Sequence, residues 1–168
     1  MNRKVLIILG ILILLSIEIV LSVRNNDEEK EDASIPVYDA DVVCSLSGVD
    51  TYEDMNEEYD IKAYLTIKDD LVTKAIMVGL SSDTGNLYET QSLMSDYNQI
   101  EGIEAKVSLN NNDLITEIEY NYDVIDLEEV RSKLGYLLID DSIFLKADSL
   151  PVSLSDYKKY ELRDYVCN

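Results

Sequence analysis

Two stretches of this chain alternate apolar and polar residues with a period of two, and the second repeats the first. Residues 61–77 read IKAYLTIKDDLVTKAIM, and residues 103–120 read IEAKVSLNNNDLITEIEY. Ile61 aligns with Ile103, Ala63 with Ala105, Leu65 with Val107 and Ile67 with Leu109. After one extra residue in the second turn, Leu71 aligns with Leu114, Val72 with Ile115 and Thr73 with Thr116. Successive side chains of a strand point to opposite faces, so strict alternation marks a strand with one buried and one wet face. Antiparallel sheets covered on one side have this pattern. Asp69-Asp70 and residues 110–113 (NNND) supply the turns, because Asp and Asn tolerate left-handed backbone and bond their own main chain.

A helical stretch is expected after each hairpin. Residues 85–99 carry Leu87, Met94 and Tyr97 at helical spacing, and Gly102 can end the connection. Asp126-Leu127-Glu128-Glu129 has the pattern of a capping box, and Leu127, Val130 and Leu134 then form a core stripe. A third short helix is expected from Ser153, with Leu154 and Tyr157 facing inward, and a last strand at Tyr165-Val166-Cys167. With a first strand around Cys44, the order is β-β-β-α-β-β-α-α-(β). It predicts an α+β fold, a twisted antiparallel sheet built from two ββα repeats with helices packed on one face.

Ahead of this lies a different kind of sequence. Residues 5–23 read VLIILGILILLSIEIVLSV, 19 nearly all apolar residues preceded by Arg3 and Lys4. As a helix they span about 28 Å, close to a bilayer core. The basic residues predict a cytoplasmic N-terminus and an external C-terminal part. Two readings stand: a retained single-pass signal anchor, or a signal peptide cut after Ser22 that yields a secreted chain. The lack of an Ala-x-Ala site favours the anchor. Glu18 fits both, either snorkelling near the outer end of the helix or lying in the polar region before the cut. The expected boundaries are 1–24 for the anchor or signal peptide, 25–36 for an acidic linker ending at Pro36 and 37–168 for the α+β domain. High charge and low hydrophobicity predict disorder in the linker.

The acidity belongs to the external part. The chain has 14 basic and 34 acidic residues; residues 1–24 hold three of the former and one of the latter, leaving 11 against 33 and a net charge of −22. Nucleic-acid binding needs basic groups that displace counterions from phosphates, so it is excluded. A surface this negative confers solubility and favours basic partners. Both cysteines, Cys44 and the penultimate Cys167, lie in the external part, where disulfides persist. Their pairing would close a loop of about 124 residues and tie down the C-terminus, at about 4 to 5 kcal/mol in the chain-entropy model. No Cys-x-x-Cys spacing suggests redox chemistry.

The sequence contains no histidine. That removes the Ser-His-Asp and Cys-His arrangements and the commonest zinc ligand, and two cysteines cannot complete a zinc site. No catalytic residue, cofactor or metal site is therefore expected. Calcium is the cation best suited to clustered oxygens, and Asp39/Asp41, Asp83/Asn86, residues 110–113 and Asp140/Asp141 are its candidates; none has the spacing of a calcium loop, and each reads as a turn. Ser45-Leu46-Ser47-Gly48 and Ser81-Ser82-Asp83-Thr84-Gly85 lack the Gly-Lys-Ser/Thr ending of a phosphate loop and read as loops. Of the 12 tyrosines, Tyr59, Tyr97, Tyr120 and Tyr122 read as core or sheet-face residues. Tyr52, Tyr64 and Tyr88 are candidates for an exposed binding surface.

With these elements placed, the chain resembles the YehR-like lipoprotein domain family, small bacterial surface proteins without assigned activity. The resemblance runs from Cys44 to Cys167. It rests on residues 64–74 (YLTIKDDLVTK), the junction of Tyr97 with Ile100-Glu101-Gly102-Ile103, the second hairpin, and Ser153-Leu154-Ser155-Asp156-Tyr157-Lys158-Lys159 with Tyr165-Val166-Cys167. It implies an exported, often lipid-anchored protein and supplies no catalytic residues. This chain lacks the lipobox cysteine that carries the lipid. The expected function is a non-catalytic, membrane-anchored interaction domain contacting an envelope protein or polymer. The alternatives are an accessory protein acting through its transmembrane helix, or a hydrolase using paired carboxylates.

Overall fold

A computed structural model describes residues 35–168 except 53, 54, 83, 86, 111, 112, 137 and 139–141. The apolar segment 5–23, most of the acidic linker, the pairs Asp83/Asn86 and Asp140/Asp141, and the side chain of Tyr52 lie outside the described residues. Seven strands and four helices are described: β1 (Val42–Tyr52), β2 (Met55–Lys68), β3 (Leu71–Ser81), α1 (Leu87–Tyr97), β4 (Ile103–Asn110), β5 (Asp113–Asn121), α2 (Leu127–Leu134), α3 (Ile143–Lys146), β6 (Val152–Ser153), α4 (Leu154–Tyr160) and β7 (Val166–Cys167). The fold is α+β.

The sheet is antiparallel, in the order β4-β5-β3-β2-β1-β7, and β6 pairs with the start of β3. The two hairpin-and-helix units are β2-β3-α1 and β4-β5-α2. In the first, Asp69 and Asp70 take φ values of 51° and 64°, the left-handed backbone a two-residue hairpin requires. The second hairpin returns with β5 beside β3, pairing Met77 with Ile118 and Gly79 with Thr116. That topology makes β4 an end strand. Ser45-Leu46-Ser47-Gly48, expected as a loop, is the middle of β1, with Ser45 paired to Lys62 and Gly48 to Tyr59. Small polar residues suggest a turn, but here Ser45 and Ser47 alternate with buried Cys44 and half-buried Leu46, and the strand period decides.

One face of the sheet carries the helices. Its core joins Ala63 and Leu65 of β2, Val72 and Ala75 of β3 and Ile103 of β4 to Val130 and Leu134 of α2, Ile143 and Phe144 of α3 and Tyr157 of α4. Each of the valine, leucine, isoleucine and phenylalanine side chains among them stabilises the fold by about 1.5–3 kcal/mol relative to exposure. Asp126 caps α2, accepting from the N–H groups of Glu128 (2.8 Å) and Glu129 (3.4 Å). Glu129 pairs with Lys133 at 2.6 Å. From α2, Arg131 donates to the carbonyls of Phe144 (2.8 Å) and Ala147 (2.6 Å), satisfying the C-terminal end of α3. The expected helix at Ser153 is α4, capped by Ser153 itself, with Tyr157 buried and Leu154 packed against the core.

The opposite face departs from the wet surface that alternation predicts. Tyr64, Ile76 and Val78 are buried there, joined by Ile35 and half-buried Tyr38, Ala40, Val43, Leu80 and Ile115. Residues 35–40 form a strap across this face. Ile35 and Pro36, expected at the end of the linker, belong to the packed structure. Tyr64 donates to the Pro36 carbonyl at 3.0 Å and packs edge-on against Tyr38, with ring centroids 5.4 Å apart. Asp41 ends the strap, its carboxylate accepting from the Ile67 N–H at 2.7 Å. Cys44 and Cys167 form a disulfide between directly opposed residues of β1 and β7, so the C-terminus is fastened to the first strand.

Candidate functional site

Beyond the strap, the same face turns polar toward β5 and β4. Glu117 and Glu119 sit on β5, and directly across from them on β4 stand Lys106 and Glu104 respectively. Glu117 is 8% exposed. It holds Lys106 at 2.6 Å and accepts a hydrogen bond from the Tyr38 hydroxyl. Burial first, then that bond and the charge of Glu117, push the Tyr38 hydroxyl up to about 12. Glu119 pairs with Lys74 of β3 at 2.7 Å. Glu104 is exposed and has no ion pair among the described residues. It faces Glu119, a like charge, across the strands, an arrangement that is unfavourable when unrelieved.

At the sheet edge, Asn98, just past α1, fastens β4. Its side-chain amide donates to the Ala105 carbonyl and accepts from the Ala105 N–H, both at 2.7 Å. Asn98 therefore imitates one residue of an adjoining strand. The Ile103 N–H is met by the Ile100 carbonyl at 3.2 Å. An open cleft of about 320 Å³ runs alongside, lined by Asn98, Glu104, Ala105, Lys106, Glu117 and Glu119.

The helix face holds a second polar cluster, which is structural. Tyr122 and Tyr157 share a hydrogen bond at 2.9 Å, and burial raises both hydroxyls well above the ordinary tyrosine range. Glu161 accepts from the Ile143 N–H at 2.5 Å and the Ser142 hydroxyl at 3.2 Å. Burial raises its carboxyl from the ordinary 4.5, against the pull of those two bonds. Burial and the nearby Glu161 charge push Tyr165 up to about 12.

Of the residues singled out from sequence, Cys44 and Cys167 come together as the disulfide. Tyr88 is 83% exposed on α1. Tyr64, expected at the surface, is 4% exposed beneath the strap. Its polar-phase position is covered because the strap supplies a second apolar layer, which period-2 counting within one strand does not register. Tyr122 is core, Tyr97 and Tyr120 pack against it, and Tyr59 is half-buried over Gly48. Asp39 is exposed and Asp41 is engaged with Ile67; no group of three potential metal ligands occurs among the described residues. Asp113 closes the second hairpin against Asn110, and residues 111 and 112 lie outside the described part. Sequence reading missed Tyr38, Glu104, Glu117 and Asn98. The signal available for Glu104 and Glu117 was the acidic polar phase of β4 and β5, which becomes informative only once the hairpins are paired.

No family model matches the chain, and no curated protein matches it. A solved structure, the NMR structure of a protein from Streptococcus pneumoniae TIGR4, is similar at 12% sequence identity and a TM-score of 0.44, over 84% of this chain and 96% of that one.

Proposed function

We propose that the chain is a non-catalytic binding domain of the YehR-like kind, tethered to the membrane by residues 5–23 and displayed outside the cytoplasm, where it contacts an envelope protein or polymer. The observation that carries the reading is the disulfide between the first strand and the last, which belongs to an oxidising compartment. It agrees with the apolar run and its preceding Arg3 and Lys4. Among the described residues, no helix is long and apolar enough to cross a membrane, and the tether assigned to 5–23 lies outside them.

Binding is favoured over paired-acid hydrolysis by where the buried acids stand. A glycosidase pair faces across one cleft at about 5–10 Å. Here Glu117 lies on the strap face, held by Lys106 and Tyr38, whereas Glu161 serves α3 on the helix side. Each is committed to the fold, and the sheet separates them.

Surface proteolysis of intact cells tests the placement: a disulfide-linked domain fragment released from cells supports it, and a chain cut only after lysis refutes it. Exchanging residues 5–23 for an unrelated anchor tests the mode of action. Retained surface cross-links support the domain, and lost cross-links assign function to the membrane helix.

A further inference from the structure

We propose that the Cys44–Cys167 bridge is a redox-operated latch: a dithiol that opens it frees β7 from the edge of β1 while the rest of the sheet stays folded. The inference needs neither the tether nor a ligand, so it stands or falls apart from the binding reading above.

Little besides the bridge holds β7 to β1. Two residue pairs join them, Cys44 with Cys167 and Ser45 with Val166. The Asn168 N–H also donates to the Val43 carbonyl at 3.0 Å. Main-chain bonding alternates along an antiparallel pair, so with Val43 turned toward β7, Cys44 turns its N–H and C=O away. The cysteine pair thus has no main-chain bond of its own, and its hold is the covalent one. Val166 is 73% exposed and adds little burial. Fixing the backbone of a terminal residue costs about what one hydrogen bond returns in water. The few bonds present therefore do not by themselves keep residues 166–168 ordered.

Release stops at the root of the arm. Leu162 is 2% exposed in the core, and the Tyr165 N–H donates back to its carbonyl at 3.1 Å. β1 pairs with β2 along its whole length, from Val42 with Leu65 to Tyr52 with Met55, and β7 takes no part in that ladder. What opens is the outer edge of β1. Among the described residues, no strand pairs with β1 on that side beyond Ser45. Loss of β7 extends this unpaired edge back to Val43. The bridge opens by thiol–disulfide exchange. Cys44 is fully buried and Cys167 only partly, so the incoming thiolate attacks the Cys167 sulfur. The S–S bond breaks, and Cys44 leaves as a thiolate and takes a proton. The second thiol of the reductant then displaces Cys167 from the mixed disulfide. Two protein thiols form as the dithiol becomes a disulfide.

The test adds dithiothreitol to the detergent-solubilised full chain in native buffer and follows thiol alkylation and amide exchange. Cys167 should alkylate without denaturant. The amides of Ser45 and Asn168 should lose their protection, while those of β2 and β3 keep theirs. Oxidised glutathione, added once the dithiol is removed, should restore the slow exchange. Cys167→Ser cannot form the bridge and should show the open pattern with no reductant present, which separates loss of the bridge from any other effect of the reagent. A bridge that resists the dithiol until denaturant is added, protection lost throughout β2 and β3, or Ser45 and Asn168 still protected after reduction overturns the latch. Those results leave the tethered-binding reading standing, since its placement falls only to the surface-proteolysis test.

Discussion

Glu161 shows how a single carboxyl can set the pH response of a domain with many. Burial raises its folded pKa above the ordinary 4.5, although the Ile143 N–H and Ser142 hydroxyl favour the charged form. The native state therefore holds this proton more tightly than the unfolded chain. Its stabilising contribution is complete below the ordinary value and is lost as pH rises through the raised one. Glu161→Gln should remove that loss. Urea midpoints of parent and variant, compared across the window, should move in favour of the variant as pH rises; a constant difference would contradict the argument. Gly102 is constrained by backbone shape. Its φ is +86°, and an added Cβ would lie 3.0 Å from the Asn121 carbonyl oxygen and from Ile125 Cγ1. Gly102→Ala should cost about 1–3 kcal/mol in chemical unfolding.

Among the elements, the strap and α4 lie on opposite faces of the sheet, and they differ in how legible they were. The hairpins followed from alternation, because Ala63, Leu65, Ile103 and Ala105 fall in one phase and are buried on one face. The caps of α2 and α4 followed from Asp126 and Ser153, and the disulfide from two cysteines in an expected oxidising compartment. The strap did not follow, because Ile35 and Tyr38 acquire partners only when β2, β3 and β5 lie side by side. Nor did the place of β4 at the end of the sheet, since strand order is set by where the second hairpin docks. Ile35 is 7% exposed and Val37 is 85% exposed. Ile35→Ala should therefore cost about 2 kcal/mol, the low end for a buried site because an end segment can lift, whereas Val37→Ala should stay within about 0.5 kcal/mol. At the other end, β7 is two residues long and the disulfide spans 123 residues. Reducing it, or replacing both cysteines by alanine, should lower unfolding stability by about 2–5 kcal/mol, measured by denaturation with and without reductant.

For the whole molecule, the proposed placement rests on the charge, the apolar run and the disulfide. Residues 25–168 carry the acidic excess, residues 5–23 the apolar run, and the bridge joins the first strand to the last. A strongly negative domain repels like-charged neighbours and favours basic partners. The most direct test of this account is the intact mass of the native protein from membrane and medium, alkylated with and without prior reduction. The account predicts the full-length mass in the membrane fraction, with Cys44 and Cys167 unmodified until reductant is added. A soluble intracellular chain whose two thiols alkylate without reduction would contradict it.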